Sequence, residues 1–120
     1  LRIYCGDFFA LTEEQTGPIA AVYDRGSLVA LPPKMHQDYA QQLRQLLQPG
    51  SQMLCISYDY DQQQRPGPPF SVPQADLTAL FGDWCTLEKL HSESAMETHQ
   101  MLKAAGVQTL HEEVYRLRVD

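Results

Sequence analysis

Three side chains near the start of the sequence have the chemistry to bind a small organic ligand: Asp7, Phe8 and Arg25. Asp7 follows Gly6 and can accept a hydrogen bond from an amine or hydroxyl, while the ring of Phe8 can stack on a flat heterocycle. Arg25 follows a dense apolar run, and its planar guanidinium offers five donors to an anionic group. Taken singly, Asp7 also fits a turn residue and Phe8 a core residue.

The remaining acidic and histidine side chains favour structural roles. Asp24 is placed to accept free backbone N–H groups of the turn that follows it. Asp59 and Asp61 alternate with tyrosines, which indicates a solvated strand end more than a metal or general-base site. The four histidines match no metal-ligand spacing and have no nucleophile beside them, so we expect no metal site. They are His36, His91, His99 and His111.

Composition and charge exclude several classes of function. The 120 residues are 43% hydrophobic and carry a net charge of -6, which is typical of one soluble domain or less. Lys and Arg are scattered, so we expect neither nucleic acid nor a membrane as partner. No glycine-rich nucleotide loop or G-x-S-x-G motif is present. The three separated cysteines predict reduced, buried thiols in a cytoplasmic protein. They are Cys5, Cys55 and Cys85.

The elements that must position these side chains alternate in type along the chain. Apolar runs and alternation predict strands at residues 2–4, 19–23, 53–58, 84–90 and 115–119. Helical periodicity and breakers predict helices at 34–47, 75–81 and 95–105. The run 19–23 is typical of a strand buried on both faces, whereas 115–119 suits a half-buried or edge strand. The order indicates an α/β sheet with crossovers.

In such sheets ligands bind at the carboxyl ends of the strands. This rule selects residues 6–9, 24–26 and 58–73. Four prolines between Arg65 and Pro73 predict a stiff loop, which we name the proline loop. We expect it to border the ligand, with Phe70 as its apolar contact.

A set of motifs that covers nearly the whole chain resembles bacterial thiopurine S-methyltransferases. The motifs are IYCGDFF at 3–9, VYDRGSLVALPP at 22–33, MLCISYDYDQ at 53–62, GPPFSVP at 67–73, LFG at 80–82 and EEVYRL at 112–117. The resemblance implies the C-terminal part of a Rossmann-like class I methyltransferase: a three-layer α/β sandwich, mostly parallel, with an antiparallel final strand. Residues 1–120 would then supply strands three to seven of a single domain, without the N-terminal half that carries the cofactor loop.

The resemblance also implies S-adenosyl-L-methionine as cofactor and transfer of its methyl group to the sulfur of an aromatic or heterocyclic thiol, such as a thiopurine. Selenium or tellurium species are further possible acceptors. Asp7 and Phe8 correspond to adenine-side contacts, and Arg25 to an arginine between cofactor and substrate. The full-length protein is expected to be a cytoplasmic monomer, and the 120-residue segment alone to be inactive.

Two points stay open at this stage. Animal relatives carry a second substrate-facing arginine in the last helix, and the corresponding position is Met101, with Lys103 or His99 as possible substitutes. The alternative function is a non-catalytic α/β binding or interaction module derived from a methyltransferase fold.

Overall fold

A four-stranded mixed sheet forms the centre of the computed structural model, which describes residues 1–120. Its strands are β1 (Ile19–Arg25), β2 (Leu47–Tyr60), β3 (Cys85–Ser94) and β4 (Leu110–Val119). The order across the sheet is β1-β2-β4-β3, with β1 parallel to β2 and β4 antiparallel to both of its neighbours. The α/β class and the antiparallel final strand are therefore confirmed.

Of the four α-helices, α1 (Glu13–Thr16) precedes β1, and three lie between successive strands: α2 (His36–Leu46), α3 (Gln74–Phe81) and α4 (Gln100–Ala104). Single turns of 3-10 helix occupy Phe8–Ala10, Leu28–Ala30, Pro33–Met35 and Met96–Thr98. The predicted apolar stripe of α2 is confirmed, because Tyr39, Leu43 and Leu46 are all buried. None of the helices is long and apolar enough to span a bilayer.

The helix predicted over residues 95–105 is broken in two. His99 separates the 3-10 turn from α4 with a non-helical backbone (φ -119°, ψ 64°). Its imidazole packs edge-on against the ring of Tyr58, with 5.0 Å between the ring centroids. A tertiary contact accompanies this break, and the local periodicity gave no indication of it.

One strand prediction is wrong, and the burial predicted for a second strand is wrong. Residues 2–4 are exposed and pair with no strand, because no neighbouring strand edge lies beside them in residues 1–120. Cys5 lies in the same segment and is exposed, whereas Cys55 and Cys85 are buried as expected. β1 is an edge strand and is not buried on both faces, since it pairs with β2 alone and leaves Tyr23 61% exposed.

The two faces of the sheet are covered by different elements. α2 and α3 pack beside each other, and α2 lies over the face that holds Asp24 and Cys55. Strand alternation places Leu54 and Tyr58 on the opposite face. There His99 covers Tyr58, whereas Leu54 is 39% exposed.

The final strand shows the predicted alternation. In β4, Tyr115 and Leu117 are buried while Arg116 and Arg118 are exposed. The strand is therefore half-buried. It lies between β2 and β3, in the interior of the sheet.

Candidate functional site

Asp7 and Phe8 form the rim of an open cleft of about 280 Å³ near the amino-terminal segment. The Oδ1 atom of Asp7 accepts a 2.9 Å hydrogen bond from the amide of Phe9 and so begins a 3-10 turn. The turn role of Asp7 is thus confirmed, and its second carboxylate oxygen makes no hydrogen bond within the chain. Phe8 is 37% exposed, which leaves part of its ring free for stacking.

Gln42, on α2, holds the Phe8–Leu11 segment in place through hydrogen bonds. Its buried side-chain amide donates to two backbone carbonyls, that of Phe8 at 2.9 Å and that of Leu11 at 2.7 Å. Both bonds come from the same Nε2 atom, which has two hydrogens to give. The position of Phe8 therefore depends on α2.

Tyr39 lies one turn before Gln42 on α2 and connects Phe8 with the end of β1. Its ring contacts the ring of Phe8, with 5.4 Å between the ring centroids. Its hydroxyl donates a 2.5 Å hydrogen bond to Oδ2 of Asp24, which is 1% exposed. Burial and the neighbouring Asp24 carboxylate raise the pKa of Tyr39 well above its usual range, so the phenol keeps its proton.

The second oxygen of Asp24 caps the turn after β1, as the sequence predicts. Oδ1 accepts from the amides of Ser27 and Leu28, each at 3.3 Å. Every hydrogen bond that this buried carboxylate accepts comes from its own turn or from Tyr39. Asp24 is thus a structural residue that holds the turn in which Arg25 lies.

Arg25 leaves the sheet on the opposite side from Asp24. Its side chain is exposed and makes no hydrogen bond or ion pair within the chain. Burial and Glu112 raise the pKa of Tyr58, and the nearby positive charge of Arg25 opposes this shift. Arg25 therefore lies near Tyr58, with all five of its donors available.

The proline loop is tied to β2 and to the turn after β1. Val72 donates its amide to the carbonyl of Tyr58 at 2.8 Å, and the amide of Phe70 donates to the carbonyl of Val29 at 2.6 Å. The half-buried ring of Phe70 lies over Gly67. These bonds bring the loop to the carboxyl ends of both strands.

A second cleft, of about 400 Å³, lies between the proline loop and the α4 segment. Arg65, Pro68 and Pro69 form one wall, and His99 and Met101 belong to the other. Phe70, predicted as the apolar contact of the loop, is not among the lining residues. The two adjacent prolines and Met101 supply apolar surface, and Arg65 and His99 supply donors.

No sequence pattern predicts a functional role for Tyr39 or Gln42, and Tyr58 is included only as the first residue of the stretch 58–73. Tyr39 fits the core stripe of α2, and Tyr58 ends the predicted strand 53–58 and is buried, at 8% exposed. His99 Nε2 lies 3.8 Å from Glu112 as well as against Tyr58. Each of these contacts joins residues far apart in sequence, so no local sequence pattern predicts them.

Comparison with known proteins bears on the whole chain. A model of the thiopurine S-methyltransferase family matches residues 1–120. The chain is 45% identical over 117 residues to a thiopurine S-methyltransferase of Pseudomonas fluorescens (strain SBW25), covering 98% of this chain and 54% of the relative. It is 40% identical over 118 residues to one of Methylococcus capsulatus, covering 98% and 53%. The chain thus spans about half the length of these relatives.

Two solved structures share the fold at low sequence identity. One comes from work on the conversion of a disulfide bond into a thioacetal group during echinomycin biosynthesis (TM-score 0.60, 16% identity, 96% of this chain and 54% of that chain). The other is a 1,6-didemethyltoxoflavin-N1-methyltransferase of Burkholderia thailandensis with bound 1,6-didemethyltoxoflavin and S-adenosylhomocysteine (TM-score 0.50, 18% identity, 83% and 43%).

Proposed function

The chain belongs to the thiopurine S-methyltransferase family, and on that premise we propose that the full-length protein containing it methylates the sulfur of aromatic or heterocyclic thiols, with S-adenosyl-L-methionine as donor. In this proposal β1 to β4 correspond to strands four to seven of its domain, and residues 2–4, which have no strand partner within residues 1–120, correspond to the third. The carboxyl ends of β1 and β2, where ligands of such sheets bind, hold the groups that contact both substrates.

The observation that carries the proposal is the contact path from Phe8 through Tyr39 and Asp24 to the turn of Arg25. It connects a partly exposed aromatic ring with the turn that carries a guanidinium without partners, and this connection supports the proposal. One group suits a flat adenine ring and the other an electron-rich acceptor. A methyltransferase needs these two subsites next to each other, because the methyl group passes directly between its substrates.

The donor side fits S-adenosyl-L-methionine. Phe8 offers a ring face for the adenine, and the free carboxylate oxygen of Asp7 can accept from an amine or hydroxyl. When bound, the cofactor supplies an electrophilic sulfonium methyl group. The protein has only to hold the rings and exclude water, since a thiopurine sulfur is already a good nucleophile.

The acceptor side is built around Arg25 and the cleft beside the proline loop. Arg25 stabilises the anionic form of the heterocycle through charge-assisted hydrogen bonds. The acceptor ring lies against the apolar wall of Pro68, Pro69 and Met101. Arg65 and His99 contact its polar atoms, in the region where animal relatives use an arginine.

Binding and turnover together test this function. Calorimetric titration of the full-length protein with S-adenosylhomocysteine is expected to show one site, and incubation with S-adenosyl-L-methionine and 6-mercaptopurine is expected to yield the S-methyl product. Binding without turnover of any thiol would favour the non-catalytic module. We expect the full-length protein to be a cytoplasmic monomer. Size-exclusion chromatography with light scattering would measure its oligomeric state.

A further inference from the structure

Helix α2 touches both halves of the candidate site through two buried polar side chains on one face. Tyr39 and Gln42 are three residues apart, so they lie on neighbouring turns and point the same way. Tyr39 is 6% exposed and Gln42 is 5% exposed. Polar groups buried to this extent on a helix usually have a specific partner, and here the partners belong to the site.

The two side chains hold different parts of the site. Gln42 holds the Phe8–Leu11 segment through its carbonyls, at 2.9 and 2.7 Å. Tyr39 holds the turn that contains Arg25 through Asp24, at 2.5 Å. The ring of Tyr39, unlike its hydroxyl, also contacts the ring of Phe8.

We infer that Tyr39 and Gln42 are positioning residues that divide the site between them, Gln42 setting the donor subsite and the Tyr39 hydroxyl setting the acceptor subsite. The inference rests on the proposed function for the meaning of the two subsites. Neither side chain needs to touch substrate. Each acts through the backbone segment or the carboxylate that it holds, and α2 keeps the two subsites at a fixed separation.

The division predicts that two substitutions in the full-length protein affect different constants, one for the acceptor and one for the donor. Tyr39→Phe keeps the ring against Phe8 but removes the donor to Asp24. We expect kcat/KM for 6-mercaptopurine to fall about tenfold, with the Kd of S-adenosylhomocysteine within about twofold, as for loss of one charge-assisted hydrogen bond. Gln42→Met should raise the Kd of S-adenosylhomocysteine by about tenfold. The acceptor KM, measured at saturating donor, should stay within about twofold of the wild-type value.

A matched control separates positioning from general loosening of the core. Tyr115→Phe makes the same change at a fully buried tyrosine whose hydroxyl has no hydrogen-bond partner. It should change neither kcat/KM for 6-mercaptopurine nor the Kd of S-adenosylhomocysteine. If Gln42→Met does not fold, Gln42→Asn shortens the side chain by one methylene, so that a neutral amide is kept but no longer reaches both carbonyls.

Hydrogen exchange makes the inference testable independently of catalysis. Tyr39→Phe should accelerate exchange of the Ser27 and Leu28 amides, which Asp24 holds, and Gln42→Met should accelerate that of Ala10 and Leu11. Localised exchange changes in an inactive wild-type protein would refute the proposed function and keep the positioning roles. The inference would be overturned if Tyr39→Phe and Gln42→Met changed kcat/KM and the Kd equally. It would also be overturned if exchange accelerated at other amides than those named for each variant.

Discussion

The hydroxyl of Ser57 donates a 2.6 Å hydrogen bond to the carbonyl of Val72, and both residues are almost completely buried. Val72 returns its amide to the carbonyl of Tyr58 at 2.8 Å. Two adjacent residues of β2 therefore fasten the end of the proline loop. The carbonyl of Val72 has no access to water if Ser57 is lost.

Ser57→Ala is expected to destabilise the full-length protein by about 1–2 kcal/mol, because it leaves a buried carbonyl without its donor. Urea unfolding of the two proteins measures the difference. Ser92→Ala, at an exposed position of β3, should change the free energy of unfolding by less than about 0.5 kcal/mol. Equal effects at the two positions would show that the bond to Val72 contributes nothing.

Gly67→Ala should disturb the proline loop through Phe70. An added Cβ would lie 2.7 Å from the Phe70 ring, and Gly67 has φ +90°, a conformation that side chains disfavour. We expect the KM for the thiol acceptor to rise, with the affinity for S-adenosylhomocysteine unchanged. Gly50→Ala is the matched control, since Gly50 has φ +86° and nothing within 4 Å of the added atom. An unchanged acceptor KM in Gly67→Ala would argue against a loop that borders the acceptor.

The alkaline side of the stability profile should depend on Cys85. Burial, followed by the charge of Asp120, raises the pKa of this thiol from 9.0 to about 11, with Arg44 in opposition. The folded state then holds the proton more tightly than the unfolded state. Its contribution is complete below about pH 9 and is lost as the pH rises through about 11.

The free energy of unfolding is therefore expected to fall by about 1–2 kcal/mol between these pH values on account of this thiol. Urea unfolding at several pH values measures the slope. Cys85→Ala should make the slope shallower, with the remainder due to Cys55, whose pKa burial also raises, and to the buried tyrosines. An identical slope in the variant would contradict this assignment.

Patterns confined to one element predicted much of this structure. The stripe of α2, the alternation of β4 and the cap formed by Asp24 follow from spacing and residue type alone, and the structure has them all. The position of Arg25 at a strand end follows from the same rules.

What the sequence could not supply depends on contacts between distant residues. Tyr39 and Asp24 are 15 positions apart, and Gln42 is 34 from Phe8. The break at His99 and the exposure of Tyr23 likewise depend on which neighbours are present. Tertiary packing decides such features, so only a three-dimensional structure shows that α2 connects Phe8 with the turn of Arg25.

The segment of residues 1–120 is expected to be inactive and poorly stable when isolated. β1 has a partner on one side only, and Tyr23 and Leu54, which face each other across β1 and β2, are 61% and 39% exposed. Open edges and exposed apolar side chains promote association between chains. Thermal unfolding, light scattering and methyl transfer on the isolated segment and on the full-length protein would decide the matter. A monomeric segment with a cooperative transition and measurable turnover would contradict this expectation.

Steady-state methylation of 6-mercaptopurine by full-length Arg25→Ala measures whether Arg25 contacts the acceptor in a methyltransferase site. Loss of a charge-assisted contact should lower kcat/KM by about a hundredfold, roughly 2–3 kcal/mol of transition-state stabilisation. Arg25→Lys should recover only part of this, because an ammonium lacks the planar fork. Arg116→Ala, which removes an arginine that pairs with Glu88 on the sheet, should behave as wild type. An Arg25→Ala enzyme with unchanged cofactor affinity and unchanged turnover would show that Arg25 does not contact the acceptor.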